Sequence, residues 1–220
     1  MNKRLEVHMI KPVRKLMSEK MGIEVIAKEF SSGYGVADLI GGVLSKKNCK
    51  TRYEMGIEKP FDHRYIFEVL STLNIGVRRT LKYITNRISF SESTLKKKIL
   101  PKMESYGLIK REDNGFICLL KELPHPTERI VAIELKQTKW REAIIQARRY
   151  TFFADRTYIA VWNGSASRVN LGLLNKYRIG LIGVEPDYAE ILIKAPIRKP
   201  RNPIMNRYCA EFLYRKALFS

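Results

Sequence analysis

The apolar period of this chain changes twice, and that double change limits its fold more than any single motif does. Between residues 23 and 44 the pattern suits strands. Ile23–Phe30 and Val36–Leu44 are apolar runs joined by a short Ser/Gly turn, which predicts a hairpin. From Phe61 the spacing becomes helical. Ile66, Phe67, Val69, Leu70 and Leu73 share one face, Leu81, Ile84 and Ile88 a second, and Leu95, Ile99, Met103 and Tyr106 a third. Ser91 is the expected N-cap of the third helix and Gly107 its stop. Leu108–Arg111 and Phe116–Leu120 then flank Asn114–Gly115, a dipeptide that predicts a type I′ hairpin turn. From Arg129 strands alternate with helices to the end of the chain, closing on a helix from about Ile204 to Ala217.

Strand pattern on both sides of a helical block reads as one α/β domain interrupted by another domain. The predicted organisation is a discontinuous core, residues 1–60 and 123–220, around an inserted domain at 61–122. A helix from Asn2 to Met21 opens the core, with Val7, Ile10, Val13, Leu16 and Met17 on one face and Pro12 inside the pattern. Three helices followed by a hairpin over about sixty residues is the order of a winged helix-turn-helix. The glycines of Gly33–Gly42 do not have dinucleotide-binding spacing, and no helix follows them directly.

With 45% apolar and 29% charged residues, the composition is that of a globular protein. The net charge of +19 points to a polyanionic partner, nucleic acid ahead of an anionic membrane surface. Cys49, Cys118 and Cys209 form no CxxC pair, and His8, His63 and His125 are scattered, so neither a disulfide framework nor a zinc site can be read. Cys118 lies in an apolar run and is expected to be a small core residue. No apolar stretch approaches the roughly 20 residues of a membrane span. A cytoplasmic protein without membrane partners is the expectation.

The chemistry concentrates in Glu134-Leu135-Lys136. Two residues apart in a strand, Glu134 and Lys136 point to the same face. A strand-end salt bridge accounts for such a pair by itself. Asp38 adds to it, because an aspartate between Ala37 and Leu39 in an apolar strand needs a partner. If the two strands are neighbours, Asp38 and Glu134 can converge on one divalent cation, Mg²⁺ or Mn²⁺, with Lys136 beside its water or a phosphate.

Asp38 and Glu134-Leu135-Lys136, followed by a helix carrying Gln146 and Tyr150, resemble the PD-(D/E)XK nuclease superfamily. The resemblance implies a restriction-endonuclease-like core, a mixed central sheet flanked by helices, interrupted here by the winged helix. It implies that Asp38 and Glu134 bind metal, that Lys136 is catalytic, and that Gln146 and Tyr150 support the site. Glu6 corresponds to an acidic residue some members carry on their first helix. The function so implied is metal-dependent hydrolysis of DNA phosphodiester bonds, with no small-molecule cofactor beyond the metal. A homodimer is one assembly this fold allows. The alternative is a catalytically silent, DNA-binding transcriptional regulator on the same fold. The gap between Asp38 and Glu134 is longer than in compact members, and an inserted domain accounts for it, since loop-closure entropy grows slowly with length.

The inserted domain has its own basic residues. Lys96, Lys97 and Lys98 open the third helix, Arg78, Arg79 and Lys82 lie on or near the second, and Lys110 and Arg111 flank the wing. These are the expected DNA contacts. Lys139, Arg141, Arg148 and Arg149 surround the carboxylates and could hold phosphates.

Overall fold

The computed structural model describes residues 5–33 and 35–219; the first turn expected from Asn2 and the middle of the hairpin turn at Tyr34 lie outside them. The chain runs α1 (Glu6–Glu19), β1 (Val25–Ser31), β2 (Val36–Leu44), α2 (Lys46–Glu54), α3 (Tyr65–Leu70), β3 (Arg78–Thr80), α4 (Leu81–Thr85) and α5 (Glu92–Thr94). A π-helical turn (Leu95–Ile99) leads to α6 (Leu100–Ser105), β4 (Ile109–Arg111), β5 (Phe116–Leu119), β6 (Thr127–Leu135), α7 (Trp140–Tyr150) and β7 (Arg156–Trp162). Then come α8 (Asn163–Ala166), α9 (Leu171–Tyr177), β8 (Gly180–Val184), β9 (Ala189–Ile193) and α10 (Pro203–Leu218). The contacts divide into two units, residues 1–44 with 127–220, and residues 45–126. The second unit is wider than the 61–122 span read from sequence, because the basic stretch after Ser45 forms α2 and packs within it.

The first unit is a mixed α/β layer structure. Its six-stranded sheet has the order β1-β2-β6-β7-β8-β9, with β6, β7 and β8 parallel and the other neighbours antiparallel. Met9, Val13, Leu16 and Met17 of α1 pack on one face with Leu39, Val131, Ile133 and Tyr158. Ala143, Ala147 and Tyr150 of α7, Leu174 of α9 and Cys209 and Leu213 of α10 pack on the other with Ile40, Ala132, Ile159 and Leu181. Two glycines of β2 let the helices approach closely. A Cβ on Gly41 would lie 2.5 Å from Ile23 Cγ2 and 2.7 Å from Met17 Cε, and one on Gly42 would lie 2.9 Å from Leu213 Cδ1.

The alternation of faces breaks at Glu29 and Asp38. Lys28 pairs with Leu39 and Phe30 with Ala37, so the intervening Glu29 and Asp38 sit opposite each other. Glu29 takes a left-handed conformation, with φ 56°. Ala27 and Phe30, three residues apart, consequently face the same core layer, as do Ala37 and Ile40 across from them. A non-glycine residue in that conformation costs roughly 1 kcal/mol or more. Asp38 stands just past the end of the β2–β6 ladder, whose last pair is Leu39 with Ile133.

In the second unit, β3-β5-β4 form a three-stranded antiparallel sheet beside α2 to α6. Three sequence expectations change here. Arg78 and Arg79 lie on strand β3, not on a helix; the helix starts after Thr80, whose hydroxyl accepts the Tyr83 N–H at 3.2 Å as an N-cap. Ser91 does cap the next helix, accepting Thr94 N–H at 3.2 Å, but that helix widens into a π turn in which Leu100 N–H reaches Leu95 O. Pro101 explains it: in a regular helix its ring would clash with the Lys97 carbonyl four residues earlier. The β4–β5 turn is not type I′, because only Gly115 takes positive φ (83°), with Gly115 N–H bonded to Glu112 O and Glu112 N–H to Phe116 O. That is a type I turn closed by a glycine bulge. Cys118 is half-buried, and Cys209 is the cysteine enclosed in the core.

Candidate active site

Asp38 and the Glu134–Lys136 pair come from neighbouring strands and meet. Asp38 Oδ2 accepts the Leu135 backbone N–H at 2.7 Å, a donor beyond the last β2–β6 backbone pair. Glu134 projects from β6 toward α7 and is 2% exposed. Its Oε1 lies 2.8 Å from Lys136 Nζ, and its Oε2 lies 2.5 Å from the Tyr150 hydroxyl. Lys136 Nζ also donates to Leu135 O at 3.1 Å and stands 3.9 Å from Glu6 Oε2 in the first turn of α1. Five residues expected at one site, Glu6, Asp38, Glu134, Lys136 and Tyr150, are thus within one cluster. The sixth, Gln146, sits one helical turn before Tyr150 on α7 and so shares its face; its Oε1 is buried without a hydrogen-bond partner.

Tyr150 counts the protons. Its hydroxyl has one hydrogen and stands 2.6 Å from the Val36 carbonyl as well as 2.5 Å from Glu134 Oε2. Two acceptors cannot share that hydrogen fully. A protonated Glu134 removes the conflict by donating to the Tyr150 oxygen while Tyr150 donates to Val36. The electrostatics agree. Burial, opposed by the Lys136 and Tyr150 hydrogen bonds, pushes the Glu134 carboxyl from 4.5 up to about 7. Burial also raises the Asp38 carboxyl, against the Leu135 N–H and the Lys136 charge. Burial works against the Lys136 ammonium, but Glu134, Asp38 and Glu6 together carry it above its ordinary value. Burial and the adjacent carboxylates raise the Tyr150 phenol.

These oxygens suit a hard cation. Glu134 Oε1 and Leu135 O already converge on one positive nitrogen, and Asp38 is close enough for its charge to act on Glu134. Two carboxylates and a carbonyl are an oxygen donor set of the kind that binds Mg²⁺ or Mn²⁺ with waters completing the shell. Among the described residues no three His, Cys, Asp or Glu side chains form a metal-holding group. The protein donors would be Asp38, Glu134 and the Leu135 backbone, the last of which sequence reasoning did not single out.

The basic residues of the second unit fall into two groups. Arg78 pairs with Glu112, Arg111 with Glu104 at 2.5 Å, and Lys96 with Glu92 at 2.5 Å. Arg79 lies over the Tyr83 ring at 4.3 Å. Lys82, Lys97, Lys98 and Lys110 are exposed and make no ion pair among the described residues. In the first unit, Lys139 pairs with Glu142 at 3.3 Å, and Arg141 and Arg148 lie over Trp140 and Tyr177.

Among the described residues no helix is long and apolar enough to cross a membrane. No family model matches the chain, and no curated protein does. Among solved structures it is similar to a protein of unknown function from Silicibacter pomeroyi (SPO1766), with 14% identity, a TM-score of 0.49, and coverage of 100% of this chain and 90% of that one.

Proposed function

We propose that this chain is a divalent-metal-dependent DNA endonuclease, with a restriction-endonuclease-like core interrupted by a winged helix. The observation that carries the reading is the meeting of Asp38, Glu134 and Lys136 at the end of the β2–β6 ladder, although Asp38 and its bonding partner Leu135 are 97 residues apart in sequence. The order α1-β1-β2-β6-α7-β7 supports the core assignment, and α3-β3-α4, the capped helix and the β4–β5 hairpin support the winged helix.

Asp38, Glu134 and Leu135 O would hold the metal, which supplies a more acidic water and a Lewis acid for the phosphoryl oxygens. Lys136 would release its contact with Glu134 Oε1 and offer its charge to the scissile phosphate or the attacking water. Tyr150 anchors Glu134 to the Val36 carbonyl and fixes the carboxylate orientation. The exposed Lys82, Lys97, Lys98 and Lys110 would contact DNA phosphates.

The test is cleavage of linear, supercoiled, single-stranded and branched DNA with Mg²⁺ or Mn²⁺ and with EDTA. Wild-type protein should cut at least one form only with metal, and Asp38→Ala, Glu134→Ala and Lys136→Ala should each abolish cutting while retaining binding. A second reading, a DNA-binding regulator, draws on the internal bonds that occupy the site: Leu135 N–H on Asp38, and Lys136 and Tyr150 on Glu134. Binding by a wild type that cuts no form with either metal would make that reading the better one.

A further inference from the structure

At the opposite end of the parallel strands from the carboxylates, three arginines gather with no counter-charge among the described residues. Glu134 and Lys136 lie where β6 ends, whereas Arg178 lies just before β8 begins and the segment 197–202 lies against the turn just before β7. Arg198 N–H donates to Asp155 O at 3.0 Å and Asn202 N–H to Phe152 O at 2.8 Å, which pins the segment at both ends. Arg198 Nη2 donates to the Tyr177 carbonyl at 2.8 Å and to the Arg178 carbonyl, and Arg178 Nη2 donates to Ile197 O at 3.3 Å. Arg201 stands over the Phe152 ring, 5.9 Å from its centroid. None of the three makes an ion pair among the described residues, and Arg198 Nε is buried without a hydrogen bond. Burial, then the charges of Arg178 and Arg201, disfavour the Arg198 guanidinium.

Arg178 carries a second cost. Ile179 N–H bonds to Leu174 O and Arg178 N–H to Asn175 O, so α9 ends in a Schellman motif with Arg178 at the left-handed position, φ 58°. Glycine or asparagine normally occupies that position, and a side chain with a Cβ costs roughly 1 kcal/mol there. Like-charge crowding and backbone strain coincide at one exposed spot, beside the positive end of the 16-residue helix α10.

We propose that the C-terminus of α9 and the segment 197–202 form a phosphate-binding site in which Arg178, Arg198 and Arg201 share one phosphate-type anion. A single carboxylate offers one charge and two oxygens to three guanidinium forks, whereas a phosphate group offers more acceptors in tetrahedral directions. The phosphate can belong to a nucleic-acid backbone or be free in solution. The site stands apart from Asp38 and Glu134, so a chain that cuts no DNA leaves it intact.

The experiment compares the whole wild-type chain with Arg201→Gln and Arg178→Gly in EDTA. Thermal melting is followed with inorganic phosphate against sodium chloride of equal ionic strength. Saturating phosphate should raise the wild-type Tm by roughly 5 °C, and the rise should be lost in both variants. Arg178→Gly should keep or raise the Tm without phosphate, because glycine suits the left-handed cap, so its lost response is not misfolding. No rise in the wild type, or equal rises in all three proteins, overturns the proposal. A labelled duplex titrated at several salt concentrations identifies the source. A slope of log affinity against log salt reduced by about one in both variants assigns a backbone phosphate. An unchanged slope with a lost phosphate response assigns free phosphate; both outcomes retain the site.

Discussion

Replacing Glu134 by glutamine should make the metal-free protein more stable at alkaline pH and change it little at acid pH. The introduced side chain copies the protonated acid: its amide can donate to the Tyr150 oxygen, which still donates to Val36, and its carbonyl can accept from Lys136. The wild-type carboxyl titrates at 4.5 when unfolded and at about 7 when folded. Because the folded value is the higher one, the folded state holds its proton longer. The wild type therefore loses stability as pH rises through the window between those values, and the loss is complete above about 7. Each unit of displacement is about 1.4 kcal/mol, so the gap between variant and wild type should widen by about 2–3 kcal/mol from pH 5 to pH 8. For a chain of this size that is roughly 5–10 °C in Tm. The assay is thermal melting of both proteins in EDTA at the two pH values. Any constant effect of the amide cancels in the comparison. Mg²⁺ added at pH 8 should then stabilise the wild type and close the gap, with no response from Glu134→Gln. A gap that is the same at both pH values, or that favours the wild type as pH rises, refutes a buried Glu134 held as the neutral acid.

Other perturbations separate the parts of the molecule. Tyr150→Phe removes the donor to the Val36 carbonyl and the oxygen that accepts the Glu134 proton, and should cost about 1–3 kcal/mol, read by urea denaturation; cleavage should fall too, while DNA affinity in EDTA stays unchanged. Lys97→Ala with Lys98→Ala should lower the salt dependence of DNA binding by about two counterions, whereas Lys96→Ala, already paired with Glu92, should change it less. Equal slopes in all three proteins would mean that the π turn does not face DNA. Lys136→Ala should keep the Mg²⁺-induced Tm rise yet lose cleavage, and loss of both would make Lys136 a structural partner of Glu134 only.

The strand runs and helix faces of the core were legible because they depend on period, and β1, β2, β6, β7 and β8 lie where apolar runs predict them. Asp38 and Glu134 were legible because charged residues inside apolar strands stand out. What period could not show was the break in alternation at Glu29 and Asp38. The left-handed Glu29, at which the side-chain faces of β1 and β2 change while their pairing stays in step, has no sequence signature, since glutamate is a poor candidate for that conformation. Strand β3 was hidden inside a helical pattern: Arg78–Thr80 is held by pairing with β5, and tertiary pairing overrides local spacing. The π turn followed from Pro101, which was in plain view inside the predicted third helix. The arginine site was only half visible, as the basic stretch Arg198–Pro203, because its other member, Arg178, lies in a different loop.

The insertion point has a consequence for how the molecule is made. β2 is synthesised long before β6, and at about 5–20 residues per second the ribosome takes roughly ten seconds to supply the strand that completes the ladder. Through that interval the β1–β2 hairpin has an open edge carrying Ala37, Leu39 and Ile40, which is a hazard for pairing with other chains. Folding of residues 45–126 shortens the exposure. When that unit closes, Ser45 N–H reaches Pro126 O at 2.9 Å, and the two ends of a long loop become a tether that delivers β6 to β2. The contact between Leu44 and Thr127 is then local in space before it is formed. The unit bearing the basic helix would thereby also act as a clasp on the order of assembly. A substitution that slows its folding will reduce the yield of native carboxylate site without altering any residue in it.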